Sequence, residues 1–146
     1  MRLDVTVERL IPLPPATVAA YAMDWRHDHE WTRGIRHAAL TREADGGGFG
    51  VGAEVTRTAY FLGRRFDYVL RVAGHHPPVV LDMVSSAGPT PMHVTYTFEP
   101  TQGGTFARIR VRGDSTGVHR LTALLSRPVR TSLAADLRAL EARLTR

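Results

Sequence analysis

The chain has 146 residues, 43% of them hydrophobic and 23% charged, which is enough to bury one core and ordinary for a globular protein. It contains no cysteine, so disulfides, thiolate metal sites and a cysteine nucleophile are excluded. The net charge is +5, but all 19 basic residues are arginine; with so much Ala, Gly and Val this reads as a coding bias and weakens a nucleic-acid reading. No run approaches the ~18 apolar residues of a membrane span. Met1-Arg2-Leu3-Asp4 is strand-like and lacks the apolar stretch of a secretion signal, so the expectation is a cytoplasmic protein with one domain over 1–146.

Leu3, Val5 and Val7 alternate over residues 3–11 and predict a first strand. Pro14-Pro15 opens a helix continued by Val18, Ala19, Tyr21 and Ala22, because proline is tolerated in a first turn. Asp24 ends it and caps a second short helix that finishes near Trp31. Residues 35–42 predict a strand, and Asp45-Gly46-Gly47-Gly48 a loop. Residues 53–61 and 64–73 alternate on either side of Leu62-Gly63 and predict a hairpin. Gly74-His75-His76-Pro77-Pro78 is expected to break the chain. Residues 79–85, 92–99 and 106–112 predict three more strands, separated by loops at 87–91 and 101–104. After Gly117 the apolar period changes: Val118, Leu121, Leu125, Val129, Leu133, Leu137, Leu140 and Leu144 step by three or four along one long helix. Pro128 is expected to kink or divide that helix. The order strand, two helices, six strands, long helix predicts an α+β fold, with an antiparallel sheet crossed by one amphipathic helix.

One residue departs from the pattern. A two-residue turn at Leu62-Gly63 places Ala59 opposite Phe66, Arg57 opposite Tyr68, Val55 opposite Leu70 and Ala53 opposite Val72 on the face that should be apolar. Tyr60/Arg65, Thr58/Asp67 and Glu54/Arg71 fall on the polar face. An arginine and a tyrosine therefore lie side by side where burial is expected, and a lone buried charge costs several kcal/mol. Either a cavity with a polar spot or a buried ion pair must accommodate it.

The chain resembles the START-like or Bet v 1-like superfamily, the polyketide cyclase/dehydrase and lipid-transport group. The resemblance runs through nearly the whole chain. Its carriers are the opening strand into Ile11-Pro12-Leu13-Pro14-Pro15-Ala16-Thr17-Val18, Asp24 with Trp31 seven residues on, Val51-Gly52 before the hairpin turning at Leu62-Gly63-Arg64-Arg65, Thr97-Phe98-Glu99-Pro100 before Gly103-Gly104-Thr105, and the helix ending Asp136-Leu137-Arg138-Ala139-Leu140-Glu141. The resemblance implies a helix-grip fold: a curved seven-stranded antiparallel sheet wrapped around the C-terminal helix, with a ligand cavity between them. It also implies binding of sterols, lipids, polyketides or plant metabolites, with cyclase, aromatase or dehydratase activity in some members. Aromatic polyketide cyclases of the group carry an inward arginine on a sheet strand, and Arg57 is the position similar to it.

The expected chemistry is cofactor-independent. Arg57 would polarise a carbonyl on a cyclic or aromatic substrate, Tyr68 would assist, and Asp82 would be either a buried base or the acid paired with Arg57. Asp82 lies on a strand whose two faces are equally apolar, and the simpler reading points it outward. Trp31, Phe66, Met83, Met92, Tyr96 and Phe98 are the candidate apolar wall, or core filling, with Trp31 a candidate lid. A non-catalytic carrier or sensor is the alternative, with Arg57 anchoring a carboxylate or phosphate head. Arg108, Arg110 and Arg112 alternate along one strand and read as a solvated face, or else as a surface for an acidic partner. His27, His29, His75, His76 and His93 show no metal-ligand spacing, so neither metal nor cofactor is expected. The expected partner is a hydrophobic small molecule, with no nucleic acid; a homodimer is compatible with the sequence.

Overall fold

The computed structural model describes residues 2–88, 91–114 and 125–146. Seven strands, β1 (Arg2–Ile11), β2 (Ile35–Arg42), β3 (Glu54–Phe61), β4 (Arg64–His76), β5 (Val80–Ala87), β6 (Met92–Thr101) and β7 (Gly104–Asp114), form one antiparallel sheet in the order β1-β7-β6-β5-β4-β3-β2. Helix α1 (Pro15–Ala22), a 3₁₀ turn (Trp25–His27) and helix α2 (Asp28–Trp31) lie between β1 and β2. Helix α3 (Ser126–Leu144) packs along β1 and α2. This is the expected helix-grip arrangement.

Local chemistry explains most boundaries. Pro15 sits in the first turn of α1, where its missing N–H leaves no bond unmade. The Asp24 side chain accepts the backbone N–H of Arg26 and caps the 3₁₀ turn. Leu62 and Gly63 both have positive φ, 52° and 78°, the twist a two-residue hairpin needs. The resulting register pairs Ala59 with Phe66, Arg57 with Tyr68 and Val55 with Leu70, as counting from the turn predicts. The β4 strand runs on to His76 through a register shift at Gly74, so the break expected at Gly74 falls later in the chain. A glycine inside a strand commonly marks such a bulge.

Pro128 does not kink a described helix: α3 begins at Ser126, and the proline falls in its first turn. Val118 and Leu121 of the expected stripe lie outside the described residues. Within α3, Leu137 and Leu140 are buried and Val129, Leu133 and Leu144 pack against the core.

The core is the inner face of the sheet closed by the helices. Val5 and Val7, Val55 and Ala59, Leu70 and Val72, Leu81 and Met83, Val94 and Phe98, and Ala107 and Ile109 point inward in strand pairs, as period-two alternation requires. Gly104 ends the β6–β7 turn so close to β1 that a Cβ there would meet the Ile11 carbonyl oxygen.

Candidate functional site

Arg57 is inward and only 4% exposed. Its partner is Asp28 of α2, itself 2% exposed: Nη2 lies 2.9 Å and Nε 3.0 Å from the same carboxylate oxygen, Oδ2. Nη2 also donates to the Tyr96 hydroxyl at 3.3 Å. That contact runs from β3 to β6, three strands away, a flat-sheet distance of roughly 14 Å. An arginine and a tyrosine reach across it only because the sheet is curved and both side chains lie over its concave face. Tyr68, opposite Arg57 on β4, is also buried and packs against Phe66 at 5.7 Å between ring centroids. Trp31 is wholly buried and stands edge to face with Tyr96, centroids 5.5 Å apart.

The electrostatics follow from burial and pairing. Burial works against the charge on Arg57, but the Asp28 carboxylate, Tyr96 and Tyr68 more than offset it and hold its pKa well above the ordinary value. Burial pushes the Asp28 carboxyl up, while the charge and hydrogen bond of Arg57 pull it down; a guanidinium does not surrender its proton in a protein, so in this pair the acid carries the negative charge. Burial pushes the Tyr96 phenol up to about 12, with Arg57 pulling the other way. A second carboxyl stands close by. Asp136 of α3 is 2% exposed, and its Oδ1 accepts the backbone N–H of Arg33 at 3.0 Å. Burial raises its pKa to about 6, while the Arg33 hydrogen bond and the charges of Arg33 and Arg57 lower it.

Several expectations are redirected. Asp82 is not the acid beside Arg57. It lies on the outer face of β5, because Leu81 and Met83 on either side of it face the core. There its carboxylate takes His93 at 2.5 Å and Thr95 at 2.6 Å. A catalytic role for Asp82 together with Arg57 would have to act through the sheet. Trp31 is no lid, since it is completely enclosed. Phe98 and Met83 are fully in the core, while Phe66 and Met92 are half-buried at its margin. The Nε–Nη2 edge of Arg57, one of those that could hold a carboxylate or phosphate head, already holds Asp28.

The residues overlooked were Asp28 and Asp136, and each carried a signal. Asp28 stands three positions before Trp31 on one short helix, so the two share a face, and the tryptophan marks that face as inward. Asp136 sits three residues after Leu133 and four before Leu140, at the edge of the apolar stripe of α3.

On the outer face, Arg108, Arg110 and Arg112 project from β7 into a shallow trough of about 770 Å³ whose walls include Asp4, Glu8, His76 and Asp82. Arg108 pairs with Glu8 at 3.0 Å and Arg110 with Asp4 at 2.8 Å. Arg112 donates to His93 Nδ1 at 2.9 Å. Each arginine thus has a partner from a neighbouring strand. A second, more apolar cleft of about 660 Å³ lies between α1, the loop carrying Phe49 and the end of β4 at His75. Neither hollow includes Arg57. No helix among the described residues is long and apolar enough to cross a membrane.

A family model described as polyketide cyclase / dehydrase and lipid transport matches residues 2–145. Among solved structures, the ZhuI aromatase/cyclase from a Streptomyces species is similar with a TM-score of 0.82 and 13% identity, over 100% of this chain and 95% of that one. A protein from Thermus thermophilus is similar with a TM-score of 0.81 and 18% identity, over 97% of each chain. A START superfamily protein from Mycobacterium smegmatis gives 0.78 and 12%, over 99% of this chain and 97% of that one. At these identities the likeness shows the fold. No curated protein sequence matches the chain.

Proposed function

Because this chain belongs to the polyketide cyclase / dehydrase and lipid transport family, we propose that it binds a hydrophobic, cyclic or aromatic small molecule between the inner face of its sheet and the C-terminal helix. One observation supports this reading above the others: a buried polar cluster, Arg57–Asp28 with Tyr96 and Tyr68, set in an otherwise apolar face. A core built only for stability gains little from such a pair, since well-packed apolar residues of the same volume serve as well or better. A ligand site needs an apolar wall with a few fixed polar groups.

The cluster favours holding a molecule over transforming it. The charge of Arg57 is already neutralised by Asp28, which weakens it as a stabiliser of a developing oxyanion. Tyr96 near pKa 12 is a good hydrogen-bond donor but far from the near-neutral value that suits an acid catalyst. The leading reading is therefore a carrier or sensor. Native mass spectrometry of freshly purified protein tests it: a co-purified apolar compound that survives unchanged during incubation is the expected result. A chain that neither retains nor takes up any apolar compound would sink the reading.

Cyclase- or dehydratase-type chemistry is the second reading. The observation in its favour is Asp136, whose pKa of about 6 lies in the range for proton exchange near neutral pH, with the Arg57 charge close enough to affect it. In this reading Arg57 polarises a carbonyl and Tyr68 assists. Conversion of a bound ligand, abolished in Asp136→Asn while binding persists, would establish it. Arg57→Ala is a poor test of either reading, because it strands the Asp28 carboxylate in the core.

A further inference from the structure

The inner cluster offers a ligand hydrogen-bond donors but no free cation. The Arg57 Nε and one terminal nitrogen are committed to Asp28, and the same terminal nitrogen also serves Tyr96. Asp136, the other buried acid nearby, adds negative rather than positive charge. Two donors remain. The Trp31 indole N–H is buried and has no hydrogen-bond partner among the described residues. The Tyr96 hydroxyl accepts from Arg57, and its own proton has no acceptor among the described residues. The two rings stand edge to face with centroids 5.5 Å apart. A buried donor without a partner is costly, and an acceptor atom from a bound molecule removes the cost.

We propose that this site selects an uncharged ligand carrying an acceptor oxygen, such as a ketone, quinone or ester carbonyl, and discriminates against carboxylates, sulfonates and phosphates. Asp28 sets the selection. An anion entering here would give up its hydration, meet a carboxylate and find the Arg57 charge already paired with Asp28. A carbonyl oxygen gives up far less and gains the Trp31 and Tyr96 protons. The proposal rests on the ligand-binding reading above and adds the charge and polar group of the ligand to it.

The test uses displacement of the fluorescent, uncharged probe N-phenyl-1-naphthylamine at physiological salt and pH 8. The competitors are dodecanoate and methyl dodecanoate, which share a chain and a carbonyl but differ in charge. The ester is expected to displace the probe from the unaltered protein at about tenfold lower concentration than the carboxylate. Asp28→Asn uncovers Arg57 and should shift that ratio toward the carboxylate by about tenfold or more. The double variant Asp28→Asn/Arg57→Gln, with neither charge, should return the ratio to its original value. Trp31→Phe removes the donor while keeping the ring, and should weaken the ester about fivefold more than it weakens the probe, which has no acceptor oxygen. A carboxylate that binds the unaltered protein as tightly as the ester overturns the proposal. So does an unchanged ratio in folded Asp28→Asn, or equal weakening of ester and probe by Trp31→Phe. Should Asp28→Asn not fold, the unaltered protein and Trp31→Phe still decide. Absence of binding by the probe and by both competitors sinks the ligand-binding reading itself, and this proposal with it.

Discussion

The two faces of the sheet use the same ion-pair chemistry to opposite ends. Outside, Arg108 and Arg110 of β7 pair with Glu8 and Asp4 of β1, and all four side chains remain at least a third exposed. Arg110 and Asp4 meet through two hydrogen bonds, and that contact lowers the Asp4 pKa. Inside, one arginine and one aspartate have side chains 5% and 3% exposed. Exposed pairs cost little to break, because water replaces the lost partner. A buried pair has no such substitute. Where a charge sits, far more than whether it is paired, decides what its loss does.

The largest expected effect comes from removing one half of the inner pair. Arg57→Met or Asp28→Leu alone should lower stability by about 3–5 kcal/mol, read from the denaturant midpoint. The two together should lose much less than either alone. If the double variant is as damaged as the sum of the singles, the inner pair is not a coupled unit.

Asp136→Asn comes next and has the opposite sign. Its folded pKa, about 6, lies above the ordinary carboxyl value of 3.8, so between those values the folded state binds more protons than the unfolded one. Its contribution to stability is therefore full below about pH 4 and is lost as pH rises through 6, up to about 3 kcal/mol in all. Asparagine keeps an oxygen for the Arg33 N–H and cannot ionise. The variant should gain about 1–3 kcal/mol at pH 7.5 and flatten the decline between pH 4 and 6. An unchanged pH profile would assign the decline to another group.

The smallest effect is expected outside. Arg108→Gln should change stability by about 0–1 kcal/mol, and that change should shrink further at about 1 M salt. The Arg57 and Asp28 variants should keep their losses at the same salt, since ions do not reach the inner pair. A salt-sensitive inner pair would break the contrast between the faces.

The sequence revealed the inner charge but not its partner. Arg57 stood out because β-strand alternation is local and the Leu62-Gly63 turn fixes the count to Tyr68. Asp28 lies 29 residues upstream on a different element, and nothing local ties the two together. The same holds for the Tyr96 contact, which depends on how sharply the sheet curls. Asp82 illustrates the converse. Its strand is apolar on both faces, so alternation could not orient it, and only the pairing of Leu81 with Tyr96 and Asp82 with Thr95 does so. Pro128 shows the same limit: a proline within an apolar stripe reads as an interruption, and its place in a first turn shows only when the helix start is known.

The pairing of β1 with β7, which sets Leu3 opposite Gly113, also has a bearing on time. The first strand of the chain cannot close its ladder until the last strand has been made and has travelled back to it. The β3–β4 hairpin needs only its own turn and can form within microseconds. Contacts between distant strands wait on a costlier loop closure. A hairpin that forms first carries Arg57 on what will become its inner face before β6 delivers Tyr96. Until then water must serve that guanidinium, so drying of the inner face belongs to the late steps of folding, along with the closing of β1 onto β7.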